Sequence, residues 1–215
     1  MALHADTRDR TLRTALNRDE MWALADEEGV REARQAYPSG WLFLTRDAAT
    51  RELVRLAAAT GGEWELDELA HELDRDPESV ERSLDDLVSL DAFREADGIY
   101  RPNPESVVAR TAERLRRAAD EHGASDGLSD LATPEAVRLM LDALLSPDAD
   151  EPFTQDDLHE LVGLPRKTVW MHVERLTNLG VLEASGDGYV TSETNPVLGH
   201  VRALDAAVLG AALSP

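Results

Sequence analysis

In the C-terminal half of the chain, apolar positions first recur with helical spacing and then give way to strand-like alternation. Val169, Val173, Leu176 and Leu179 follow one another at i, i+4, i+7 and i+10, so they share one face of a helix. Gly180 is placed to end that helix. Residues 181–191 then read as two strands turning at Ser185-Gly186-Asp187-Gly188, a hairpin signal. Upstream, residues 135–145 form an amphipathic helix pattern, 153–154 a short strand, and 155–162 a second helix for which Thr154 is the expected N-cap. A tight turn through 163–165 joins that helix to the third.

The same order of elements occurs earlier in the chain. Thr50-Arg51-Glu52-Leu53-Val54-Arg55-Leu56 echoes Thr133-Pro134-Glu135-Ala136-Val137-Arg138-Leu139. Val80, Leu84, Leu87, Leu90 and Phe93 repeat the spacing of Val169, Val173, Leu176, Leu179 and Leu182. Each copy continues with a Gly-plus-aromatic segment at 98–100 or 188–190, an Asn-Pro pair at 103–104 or 195–196, and a final apolar helix. Two copies of one unit account for this self-similarity. The first hairpin is expected to turn near Ala96-Asp97-Gly98.

Ahead of the first copy, Asn17-Arg18-Asp19-Glu20 is the expected capping segment of a helix over 21–37, broken by Pro38-Ser39-Gly40. Trp22, Tyr37, Trp41 and Phe43 concentrate aromatics there and are expected in a core. Residues 121–131 are polar and Gly/Ser-rich and read as a connection. The resulting division is an N-terminal helical extension over 1–44, a first unit over 45–123, a linker over 124–131 and a second unit over 132–215.

Charge changes the picture locally. The chain of 215 residues carries 43 acidic against 22 basic side chains, a net charge of -21. The acids are spread along the whole length, as on proteins from salt-rich cytoplasm, where screening shortens the reach of self-repulsion to roughly 3 Å at 1 M salt. The only lysine, Lys167, stands next to Arg166 at the start of the third helix of the second unit. Cations are oddly placed at that positive end of a helix dipole unless something outside the chain wants them there. Cysteine is absent, which excludes disulfides and thiolate metal sites. No apolar run approaches a membrane span, and residues 1–6 lack a leader's basic-then-apolar pattern, so a cytoplasmic protein with no membrane contact is expected. His71-Glu72 and His159-Glu160 each lack the second histidine of a zinc-protease helix. No catalytic function, metal or cofactor is expected.

Thr168-Val169-Trp170-Met171-His172-Val173, then Leu176, then Gly180-Val181-Leu182, resembles the signature of the winged helix-turn-helix repressors of the arsenic-sensor and multiple-antibiotic-resistance types. It runs Thr-Val-Ser-x-His-Leu, two residues, Leu, three residues, Gly-Leu-Val. The match covers about 20 residues well and both units loosely, and the chain is similar to haloarchaeal tandem winged-helix proteins. The resemblance implies a mainly α fold with small β wings: two tandem winged helix-turn-helix modules plus the N-terminal extension. It departs from the family at Trp170 and Met171, where a small polar residue and often an arginine stand.

As function, the resemblance implies a regulator of transcription that binds double-stranded DNA. Arg166, Lys167 and Arg175 would reach phosphates or base edges, Thr168 and Asn178 would add hydrogen bonds, and Trp170 and Met171 apolar contacts. His172 lies in phase with the buried face and is expected to be packed. The third helix of the first unit, over 77–86, carries four acids and one base and would be repelled by phosphates, so a structural or protein-contacting role is expected for that unit. Val197, Val201, Leu204, Val208 and Leu213 form an extra apolar stripe, expected to pair two copies as a homodimer. The competing reading is a tandem winged-helix adaptor that binds proteins, as in chromosome-segregation or transcription-machinery assemblies.

Overall fold

The computed structural model describes residues 6–7, 10–58, 61–124, 127–146, 152–192 and 194–213. The N-terminal residues 1–5 and part of the connection, 125–126, lie outside the described residues. The chain is mainly helical with small antiparallel sheets. After a two-residue strand pair, β1 (Asp6–Thr7) with β2 (Arg10–Thr11), come α1 (Arg18–Glu28), α2 (Val30–Ala36) and α3 (Gly40–Leu44). The helix expected over 21–37 is thus two helices, parted at Gly29, whose φ of 104° is open to glycine and strained for other residues. Asn17 precedes α1 without capping it. Its buried amide instead closes the preceding turn, accepting from Thr14 N at 2.8 Å and donating to Leu12 O at 2.8 Å.

Two runs of elements follow in the same order. The first is α4 (Ala48–Ala58), β3 (Trp64–Glu65), α5 (Leu66–Leu73), α6 (Pro77–Ser89), β4 (Phe93–Ala96), β5 (Ile99–Pro102) and α7 (Val107–Glu121). After α8 (Leu128–Ala132), the second is α9 (Glu135–Ala143), α10 (Gln155–Val162), α11 (Arg166–Asn178), β6 (Leu182–Ser185), β7 (Gly188–Thr191) and α12 (Pro196–Ala212). β3, β5 and β4 form a three-stranded antiparallel sheet in that order. Its counterpart is the β6–β7 hairpin, to which Phe153 adds a single bridge, exchanging backbone hydrogen bonds of 2.9 and 2.8 Å with Tyr189. Gly188 lets that bridge form, because a Cβ there would stand 2.5 Å from Phe153 O.

The repeated Asn-Pro pairs have a shared task. Asn103 donates to Asp91 O and Asn195 to Leu179 O, each tying the chain after its hairpin back to the end of the third helix. Asn195 also caps α12, accepting from Leu198 N at 3.0 Å.

The stretch read as a linker is built into the core: Ala124, Leu128, Leu131 and Ala132 are buried, and α8 packs on α7, α9 and α4. The stripe expected to join two copies is likewise covered within the chain. Val197, Val201, Leu204 and Val208 are fully buried because α12 lies against α7 and α3; only Leu213, at the helix end, is 47% exposed. The homodimer expected from this stripe therefore loses its ground, since the last helix of the first copy already fills the slot. Of the extension's aromatics, Trp41 and Phe43 are in the core, Tyr37 is half-buried, and Trp22 is 39% exposed, against expectation.

A buried ion cluster fastens the extension to the second run. Asp142 of α9 accepts from both ends of the Arg13 guanidinium at 2.7 and 3.1 Å and also from Arg34 of α2. Arg34 in turn donates to Leu161 O at 2.8 Å. Burial alone would push the Asp142 carboxyl up, but the two guanidiniums outweigh it and hold it below its ordinary value. Asp205 of α12 caps α3, accepting from Gly40 N at 2.7 Å, and burial pushes its carboxyl up. Sequence reasoning missed this cluster. Its one signal was an acid inside the apolar run 139–145.

Candidate nucleic-acid interface

α10 and α11 are positioned by local chemistry that the sequence announces. Thr154 Oγ1 accepts from Asp157 N while the Asp157 carboxylate accepts from Thr154 N, a reciprocal capping box. Gly163 ends α10 at φ 73°, and a Cβ there would press to 3.1 Å on the backbone of Arg31 in α2. The extension thus supports the turn that leads into α11. Val169, Val173, Leu176 and Leu179 are buried as the spacing requires, and Gly180 closes the helix at φ 68°. This inward face fixes which residues of α11 point out.

Arg166, Lys167, Trp170, Met171, Glu174, Thr177 and Asn178 are exposed. Trp170 and Met171 are adjacent and 65% and 67% exposed. Arg166 Nε lies 3.2 Å from Asp156 Oδ1; both side chains are more than half exposed, so the pair is worth at most about 1 kcal/mol and can be exchanged for another anion. Among the described residues Lys167 has no ion-pair or side-chain hydrogen-bond partner. Thr168 is half-buried, with its backbone N–H donating to Pro165 O. His172 is half-buried too, as expected for its phase.

Arg175 departs from expectation. Its guanidinium turns inward to α8, donating to Asp130 O at 2.5 Å and lying 3.7 Å from the Asp130 carboxylate. It holds α11 onto the stretch that had read as linker, and it is not part of the outward set. The five remaining predicted residues that are exposed, Arg166, Lys167, Trp170, Met171 and Asn178, share the outer surface, with Thr168 at its edge. Beside Trp170 a shallow groove runs between the start of α10 and the β6–β7 turn, with Asp156 and Asp187 in its walls.

The equivalent face of α6 has the opposite character. Glu78, Glu81 and Arg82 are exposed, Glu78 pairs with Arg82 at 3.3 Å, and Asp86 is engaged by Arg46 at 2.7 Å. Among the described residues no group of three or more His, Asp or Glu is arranged to hold a metal, and no helix is long and apolar enough to cross a membrane. His159, which had looked like half of a zinc motif, instead sets Nδ1 against the Leu164 carbonyl oxygen.

Comparison of the chain with protein-family models, with curated proteins and with solved structures gives no match.

Proposed function

We propose that the chain is a tandem winged-helix regulator of transcription that binds double-stranded DNA through α11 of its second unit, with β6 and β7 as the wing. The observation that carries this is the paired cations Arg166 and Lys167 on the outer face of α11, in a chain whose equivalent helix α6 presents acids there. A helix needs one exposed face to enter the major groove, and the inward packing of Val169, Val173 and Leu176 leaves this one free. Arg166 and Lys167 would contact phosphates, Asn178 a base edge or phosphate, and Trp170 and Met171 thymine methyls. The first unit, acidic at the corresponding place, serves to support the second and to contact proteins.

The test is a salt titration of affinity for a genomic fragment retained by the purified protein. Arg166→Ala with Lys167→Ala is expected to keep the fold, since neither side chain packs in the core, and to lower the slope of log affinity against log salt by roughly 2. An unchanged slope and affinity would refute the docking of α11 on DNA. A second reading, a protein-binding adaptor, is favoured by one observation: the exposed Trp170–Met171 pair is flanked by Asp156, Glu174 and Asp187 rather than by further cations.

A further inference from the structure

We infer that the cavity where α4, α7 and α8 meet is a binding site for one small inorganic anion of chloride size. Arg51 and Arg55 of α4 and Arg116 of α7 line it together with Ser129 of α8, against a single carboxylate, Glu52. On a chain of net charge -21, three guanidiniums around one space are a local reversal of sign. All three are accessible: Arg55 is exposed, and Arg51 and Arg116 are half-buried. The nearby acids are already committed. Glu52 lies 3.1 Å from Arg75, and Glu113, which accepts from Arg116 at 2.8 and 3.0 Å, is shared with Arg117 at 2.7 Å. Asp47 accepts from Thr50 at 2.8 and 3.0 Å and lies 3.2 Å from Arg46 Nε. Arg51 donates to a neutral acceptor, Thr45 O at 3.0 Å, and among the described residues neither it nor Arg55 has a carboxylate within ion-pair distance. Like charges at i and i+4 destabilise a helix, so Arg51 and Arg55 side by side call for an anion that the described residues do not supply.

Size and wall chemistry choose the ligand. The room, about 20 Å³, little exceeds the roughly 10–15 Å³ that one water needs, so the ligand is a single small ion and an organic acid is too large. Val54, Ala112 and Leu128, all buried, form the apolar part of the wall. A monovalent anion suits such a wall better than phosphate, whose second charge would lose more hydration there. The stem of Arg116 is packed on Gly127, where a Cβ would stand 2.7 Å from its Cγ. A bound anion ties α8 to α4 and α7, and α8 is the element onto which Arg175 holds α11.

The site is independent of how α11 is used, and its test on the intact protein contains no DNA. At one fixed ionic strength, potassium gluconate, whose anion is too large for the cavity, is replaced stepwise by potassium chloride, so that general screening stays constant. The melting temperature is expected to rise with chloride and to saturate, and the chloride NMR line to broaden in parallel. Arg55→Gln is expected to weaken chloride about tenfold, as one charge-assisted contact is lost. Arg110→Gln, which removes the same charge from an exposed position of α7 outside the lining, is expected to leave chloride binding unchanged. Crystals soaked in bromide are expected to hold an ion between Arg51, Arg55 and Arg116. A melting temperature and line width indifferent to chloride, an Arg55→Gln variant of full affinity, an Arg110→Gln variant as weak as Arg55→Gln, or bromide bound only elsewhere would each overturn the assignment.

Discussion

One carboxylate, Asp142, itself fully buried, neutralises two guanidiniums, and its removal would leave Arg13 and Arg34 facing each other. Breaking a buried pair by deleting one partner typically costs about 3–5 kcal/mol, far more than the pair is worth against an apolar replacement. Asp142→Asn is therefore expected to lower the unfolding free energy by about that amount at neutral pH, measured by urea denaturation. The pH dependence has a definite sign. The carboxyl is held below its ordinary value in the folded chain, so its contribution is fully present above the unfolded value of about 4 and is lost as pH falls through the lower folded value. The gap between wild type and Asp142→Asn should stay constant from pH 8 to pH 5 and close in acid. Asp205, raised by burial, contributes with the opposite sign, so the difference between the two proteins, and not either profile alone, is the quantity to follow. A gap below about 1 kcal/mol at pH 7, or one that widens rather than narrows as pH falls below the unfolded value of about 4, would mean that Asp142 does not anchor the extension as described.

Two helices approach closely where α3 crosses α12. A Cβ on Gly40 would stand 2.7 Å from the backbone oxygen of Asp205 and 2.7 Å from Val208 Cβ, neither of which can swing away. Gly40→Ala is expected to destabilise by about 1–3 kcal/mol through overpacking. Gly199→Ala on the exposed side of α12, with open space around it, is expected to stabilise by up to about 1 kcal/mol. Thermal melts that rank the two variants the other way would remove the close approach from the account. The helices of both copies, their hairpins and the Thr154 cap were legible in the sequence because they rest on local periodicity and capping chemistry. The fate of α12 was not legible: the apolar stripe is real, but periodicity says only that a face is covered, and α7, some 90 residues earlier, covers it. The inward turn of Arg175 escaped notice for the same reason, since its partner Asp130 lies on a helix that polar composition had disguised as a linker. Of the outer α11 set, the residues placed by helical phase alone stand where the spacing puts them.

At the scale of the whole molecule, the excess of carboxylates decides how the protein answers salt. Pairs such as Arg101 with Glu63 and Arg116 with Glu113 are weakened by screening, which would lower stability as salt rises. Against them stands the mutual repulsion of a net charge of -21 spread over the surface, which screening relieves. The repulsion reaches much further than the pairs: at 10 mM the Debye length is roughly 30 Å, comparable with the molecule, and at 1 M it is roughly 3 Å. Exposed pairs contribute at most about 1 kcal/mol each, whereas every one of the surplus acids interacts with many others, so relief should dominate. The melting temperature is expected to rise between 10 mM and 1 M KCl, most steeply at the low end where the Debye length changes most. Binding of DNA through Arg166 and Lys167 would move in the opposite direction, losing affinity over the same range as released counterions become less favourable. Stability rising while affinity falls is a joint signature of an acidic scaffold carrying a small basic contact. A melting temperature that is flat or falls with KCl would show that the acids are already balanced within the fold, and would leave the cations of α11 facing DNA past an unscreened acidic surface.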